Sequence, residues 1–204
     1  MYDGKTFRSK REQSMDSIYG AERARLQETL DRLLGEIDRI RADVCAATGM
    51  DPVEHTLGRI KSEESMREKC RRKGLPETQE SALGAIRDAI GLRVVCAFLD
   101  DVYEMRDALA ALPFLELVEE KDYIRRAKPN GYRSLHLIFR ADGRYYAEVQ
   151  LRTISMDTWA ALEKDYNAVT EEIEGIYYKG FSPEEIDALE SYLRRVLANV
   201  EEAL

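Results

Sequence analysis

Two carboxylates and two clusters of cations are the residues of this 204-residue chain whose types and spacing point to chemistry. Glu148 lies in the run Ala147-Glu148-Val149-Gln150-Leu151-Arg152. In a strand, successive side chains alternate, so Glu148, Gln150 and Arg152 share one face and Ala147, Val149 and Leu151 the other. Asp88 stands just ahead of a second strand pattern that begins at Gly91. Two acids at strand edges beside cations fit a Mg²⁺ site, because Mg²⁺ takes one or two carboxylates and completes its shell with water and substrate phosphate. Gly131-Tyr132-Arg133-Ser134 offers a turn glycine, an exposed ring and adjacent cations. A base can stack on Tyr132 while Lys128 or Arg133 meets its phosphates. Each feature also has a plainer reading: a solvated strand face, a turn carboxylate at Asp88, a loop tyrosine packed on its own domain.

Charge is distributed unevenly around these residues. The chain carries a formal −8, which argues against a general nucleic-acid coat. Residues 59–73 nevertheless hold seven Lys/Arg against three Glu, and residues 121–133 hold five against Asp122. Residues 163–204 hold eleven acids and four bases. Two basic islands on an acidic protein indicate a localised anionic ligand. Cys45, Cys70 and Cys96 are widely spaced and odd in number, which fits free thiols in a reducing compartment rather than a disulfide framework or a metal knuckle. No apolar run approaches a membrane span, and the N-terminus leads into Arg and Glu rather than an apolar signal core, so the expected location is cytoplasmic.

The elements that must position these groups alternate between helix and strand periods. Leu26, Leu30, Leu33, Leu34, Ile37, Ile40 and Val44 predict a long amphipathic helix over 17–47, stopped by Thr48-Gly49 and Asp51-Pro52. A short strand is predicted over 53–61, a basic helix over 64–73 ended by Gly74, and a further helix over 80–88. The run from Gly91 to Phe98 is the clearest strand. A helix capped by Asp100 or Asp101 follows to about Leu112, then strands over 114–118 and 133–140. Asp142-Gly143 predicts a hairpin into a strand over 144–151. Helices are predicted over 153–169 and, after the capping box at Ser182-Pro183-Glu184-Glu185, to about Val200. The product is an α+β fold: a mixed β-sheet wrapped by helices, with a helical extension over 1–49, a catalytic core over 50–170 and an acidic helical tail over 171–204.

The run Lys128-Pro-Asn-Gly-Tyr-Arg-Ser-Leu-His136, followed by Glu148 within Glu-Val-Gln-Leu-Arg-Thr153, resembles the RelA/SpoT synthetase domain. Gly58-Arg-Ile-Lys-Ser62, Asp88-Ala-Ile-Gly-Leu-Arg93 and Met156-Asp-Thr-Trp-Ala-Ala-Leu-Glu163 match it in the expected order. Helices at both ends are of the kind seen in the stand-alone small alarmone synthetases. The resemblance implies a nucleotidyltransferase-like fold and transfer of pyrophosphate from ATP to the 3′-hydroxyl of GDP or GTP. It assigns Arg59 and Arg93 to stacking on adenine, and Lys61, Ser62, Lys69 and Arg72 to ATP, chiefly its triphosphate. Asp88 and Glu148 would hold Mg²⁺, with Glu148 accepting the proton of the attacking hydroxyl. Tyr132 would stack on guanine, with Lys128, Arg133, His136, Gln150 and Arg152 lining the acceptor nucleotide. Asp157 is added as an acceptor for the guanine N1–H and amino group, with an equal claim as an early-turn helix acid.

Some positions depart from the pattern or stay open. Lys164 follows Glu163 where small synthetases commonly carry histidine, and Glu119-Glu120-Lys121-Asp122 mixes two patterns associated with GDP-versus-GTP preference. Neither His55 nor His136 is followed by Asp, so the metal signature of the alarmone hydrolase is missing and no hydrolysis of the product is expected. His55 and Trp159 read as structural residues. A toxin-type enzyme that pyrophosphorylates the tRNA 3′ end would use similar residues, although the acidic charge weighs against a polyanionic partner. A catalytically inactive nucleotide-binding regulator is the alternative of another class. The terminal helices suit either pairing into a homo-oligomer or packing on their own sheet.

Overall fold

The structure is a computed structural model that describes residues 17–164 and residues 188, 191, 192, 194 and 195. Helix α1 (Glu22–Thr48) precedes strand β1 (Val53–Ile60), and helix α2 (Glu63–Arg72) follows it. A π-helical segment (Ser81–Ala85) leads to β2 (Ile90–Cys96), then α3 (Leu99–Ala110), β3 (Leu115–Asp122), β4 (Leu135–Ala141) and β5 (Tyr145–Thr153). The strands form one mixed sheet in the order β1-β2-β5-β4-β3, in which β2 and β5 run parallel and every other pair is antiparallel. This is the α+β architecture expected from the residue pattern.

Alternation divides the sheet into two faces. Ile90, Leu92 and Val94 of β2, Leu135, Leu137 and Phe139 of β4, and Ala147, Val149 and Leu151 of β5 form the buried face. Helix α1 packs there through Leu26, Leu30, Leu33, Ile37 and Ile40. Gly58 of β1 admits it: a Cβ at that position would lie 2.9 Å from Leu30 Cδ1 and 3.2 Å from both methyls of Leu34. Helix α3 buries Val102, Met105 and Leu109 and touches both the sheet and α1.

Helix ends follow local chemistry. Gly49 closes α1 in the left-handed conformation (φ 75°) with its N–H on Cys45 O. The Ser62 hydroxyl caps α2 by accepting from Ser65 N, 3.3 Å. Phe98 N donates to Asp101 Oδ2, 2.8 Å, at the start of α3. Asp142 (φ 47°) and Gly143 (φ 65°) both adopt positive φ, as the two-residue hairpin between β4 and β5 requires.

Several elements differ from the sequence reading. Residues 17–21 form a turn before α1 rather than its first turn. The helix expected over 80–88 is the five-residue π segment, after which Ile86 turns extended (φ −97°, ψ 130°). Strand β3 runs on to Asp122 rather than ending at Val118. Residues 154–164 are helical. The rest of the helix expected over 153–169 and the capping box at 182–185 lie outside the described residues. Cys45, Cys70 and Cys96 are unpaired thiols. Among the described residues no helix is long and apolar enough to cross a membrane. The chain divides into two compact units, Met1–Ile154 and Ser155–Leu204.

Candidate active site

The face of the sheet opposite α1 carries two polar rows set by register. Arg59, Gly91, Glu148, Ile138 and Glu119 face one another in sequence across all five strands. Leu57, Arg93, Gln150, His136 and Lys121 form the adjacent row. Gly91 stands between Arg59 and Glu148 without a side chain, and a Cβ there would meet only Arg59 O at 4.0 Å. The floor between the cationic edge and the glutamate is therefore open.

At the β1 edge, Asp88 gathers two members of the first basic island. Lys69 Nζ and Lys61 Nζ approach the same oxygen, Oδ2, at 2.5 and 3.1 Å. Burial pushes the Asp88 carboxyl up, but the hydrogen bond and charge of Lys69, then those of Lys61, outweigh it and hold it below the usual carboxylate range. The other oxygen, Oδ1, is buried without a hydrogen-bond partner among the described residues. Arg67 and Arg71 of the same island pair instead with Glu77, at 3.4 and 2.9 Å. Arg72 lies exposed on α2, three residues beyond Lys69.

Glu148 sits at the middle of the open face. His136 Nδ1 is 3.4 Å from its Oε1, and Gln150 Nε2 donates to Oε2 at 3.3 Å. Contact with His136 pulls the Glu148 carboxyl down; burial and the negative charge of Asp88 push up without prevailing. Glu148 thus also feels the negative charge of Asp88.

A chain of donors runs from Glu148 into the second basic island. Arg152 Nη2 donates to the Tyr132 hydroxyl at 2.6 Å, and that hydroxyl is 2.8 Å from His136 Nε2. Because Arg152 can only donate, the Tyr132 hydroxyl accepts from it and keeps its own proton for a further partner. Arg152 is 4% exposed and also contacts Gln150 Oε1 (3.0 Å) and Ser134 Oγ (3.4 Å). Its reach toward a ligand therefore runs through Tyr132. Lys128 Nζ lies over the rings of Tyr132 and Tyr123, 4.7 and 4.8 Å from their centroids. A β-turn, in which Gly131 N donates to Lys128 O at 2.8 Å with Gly131 at φ 84°, presents this loop. Arg133 donates to Ile124 O at 2.5 Å and braces the island from behind.

Residue pattern alone did not single out Tyr123 or Ser134. Tyr123 stands edge-on to both Tyr132 (6.2 Å) and His136 (5.3 Å). Its position inside the basic island was the available signal. Ser134 is buried and links Arg152 to Leu151 O. Asp157 lies in the second unit, within helical residues 154–164.

Residues 58–168 match the model of the region found in RelA/SpoT proteins. The chain belongs to the RelA/SpoT family. The matched span contains every site residue assigned from sequence, from Arg59 to Asp157. Among its RelA/SpoT relatives, the chain is 40% identical over 141 residues to GTP pyrophosphokinase YwaC of Bacillus subtilis, covering 66% of this chain and 67% of that one. The crystal structure of small alarmone synthetase 2 from B. subtilis superposes with a TM-score of 0.59 at 32% identity, covering 88% of this chain and 95% of that one. Small alarmone synthetase 1 from B. subtilis, bound to its product pppGpp, gives a TM-score of 0.62 at 28% identity, covering 86% and 91%.

Proposed function

We infer that the chain is a GTP/GDP pyrophosphokinase that transfers the β,γ-pyrophosphoryl group of ATP to the ribose 3′-hydroxyl of GDP or GTP. The observation that supports this reading is the gathering of Lys61 and Lys69 on Asp88 just ahead of β2, with Arg59, Gly91 and Glu148 in one row across the adjoining sheet. Relatives named GTP pyrophosphokinase and a relative bound to pppGpp support the same reaction.

Phosphoryl-type transfer asks the protein mainly for positioning and charge. Arg59 and Arg93, diagonal neighbours across Gly91, would take the adenine. Lys61, Lys69 and Arg72 would meet the triphosphate, with Ser62 ordering the start of α2 beneath it. Tyr132 would stack on guanine in place of the Lys128 ammonium, which then becomes available to the acceptor phosphates. The residues fit Mg²⁺: Asp88 keeps one buried oxygen without a partner while its other oxygen is tied, and Glu148 supplies a second ionised carboxylate. When bound, the metal would neutralise phosphate charge and acidify the attacking hydroxyl. Glu148 is ionised at rest and would orient the 3′-hydroxyl and take its proton. A bond forms from the 3′-oxygen to the β-phosphorus as the bond to the α,β-bridging oxygen breaks, and the electron pair leaves on AMP.

The test is AMP release from ATP in the presence of free GDP, free GTP or deacylated tRNA. The reading expects Mg²⁺-dependent AMP with a free guanine nucleotide. AMP with tRNA alone would assign the toxin-type reaction, and no AMP with any of the three acceptors would leave only a binding protein.

A further inference from the structure

We propose that Tyr19 is a positioning residue for the triphosphate end of the site, holding the Lys61 backbone so that its ammonium and that of Lys69 converge on Asp88. The proposal rests on the pyrophosphokinase reading. Tyr19 precedes α1 and lies outside the span that matches the family.

Lys61 sits at the junction of β1 and α2, where the chain changes direction. Its peptide is tied at both ends: the N–H donates to Ala89 O at 2.9 Å, and the carbonyl accepts the Tyr19 hydroxyl at 2.8 Å. Tyr19 is fully buried, so its hydroxyl depends on that partner. The preceding turn is fixed in parallel. Ser17 Oγ donates to Glu63 Oε1 at 2.6 Å and accepts from Gly20 N at 3.2 Å. Gly20 has φ 53°, which turns the chain sharply from Tyr19 into α1. Residues 17–20 thus grip the β1–α2 junction on both sides of Ser62. Rotation at that junction would swing α2 and separate Lys69 from Lys61. Burial together with the nearby Asp88 charge keeps the phenol protonated, so the grip is a neutral hydroxyl donor.

Tyr19→Phe removes the donor and keeps the ring that fills the core. The expected result is a KM for ATP raised about five- to tenfold, the size of one buried hydrogen bond to a carbonyl. The KM for GDP and kcat should stay within about twofold. Ser17→Ala should move the same parameter in the same direction by less. In a Lys61→Met background the Tyr19→Phe effect on ATP should shrink, because the two residues act on one contact. A core-filling role alone would lower the melting temperature and the active fraction while leaving both KM values unchanged. An ATP KM in Tyr19→Phe equal to that of wild type would overturn the proposal. Wild-type protein that makes no AMP would instead sink the pyrophosphokinase reading. Calorimetric binding of a non-hydrolysable ATP analogue would then still report whether the Tyr19 hydroxyl matters.

Discussion

Asp88→Asn asks which of two opposing forces governs the carboxylate that both lysines share. Burial favours the neutral acid; Lys69 and Lys61 favour the anion. Their ammonium groups lie 2.5 and 3.1 Å from Oδ2, and the three side chains retain 14–22% exposure. At an effective dielectric of about 20, the pairs are worth roughly 5–7 kcal/mol each before desolvation. Removing one partner of a fully buried pair costs about 3–5 kcal/mol, so residual exposure brings the expected loss to about 2–3 kcal/mol. The sign with pH follows from the depressed pKa. The unfolded carboxyl titrates near 3.8 and the folded one lower, so the stabilisation is complete above 3.8 and is lost only as pH falls through the folded value. Urea unfolding of wild type and Asp88→Asn at several pH values, without nucleotide or metal, isolates this residue as the difference between the two curves. That difference should be flat from pH 7.5 to about 4.5 and narrow only in more acidic solution. A gap that widens as pH falls from 7 to 5 would mean that burial wins and the lysines do not hold the anion, because a raised folded pKa makes the native state the tighter proton binder. A variant as stable as wild type throughout would refute the clamp itself.

Glu148→Gln keeps size and hydrogen-bonding reach but removes the proton acceptor, so turnover should fall by about 10²–10⁴ with nucleotide affinities little changed, measured as AMP release; near-normal turnover would remove Glu148 from its role. Tyr132→Ala should raise the KM for GDP or GTP by about tenfold, within the range for loss of a base–aromatic stack, and leave that for ATP alone. Tyr132→Phe should retain most of the acceptor affinity and instead change kcat, because it uncouples Arg152 from His136. Gly58→Ala, on the helix-covered face, should cost about 1–3 kcal/mol in urea unfolding through overpacking against Leu30 and Leu34, with both KM values unaffected.

Alternation along Ala147–Arg152 was enough to place Glu148, Gln150 and Arg152 on one face, because period-2 geometry is a property of the strand alone. Which strands lie beside it was not legible. The parallel pairing of β2 with β5 joins segments separated by α3, β3 and β4, and no local pattern encodes that choice. For the same reason the motif order put Asp88 and Lys69 in one site, but the shared oxygen joining Lys61, Lys69 and Asp88 needed the fold. Strand β3 outruns its apolar pattern because it is an edge strand, where charged residues such as Glu119 to Asp122 replace the apolar alternation. The π segment was read as an ordinary helix because its side-chain pattern over five residues differs little from one. Tyr19 escaped notice because a single buried tyrosine ahead of a helix carries no periodic signal.

Both acids of the site are held below their ordinary range, and this bears on how the chemistry is driven. A glutamate raised toward neutrality would be a stronger base, yet His136 pulls Glu148 the other way. Low proton affinity is the cost of an anion fully formed at neutral pH. That anion can orient a hydroxyl and share a cation without any prior loss of a proton. The two lysines on Asp88 create a related constraint. On the proposed reading, they would turn fully to a triphosphate only when a cation balances the Asp88 charge at Oδ1, which has no partner among the described residues. Catalysis in such a site comes from bringing phosphate, cation and hydroxyl into register. On the proposed reading, the residues that fix the geometry, Gly91 between Arg59 and Glu148 and Arg152 behind Tyr132, would matter as much as the acid assigned to receive the proton.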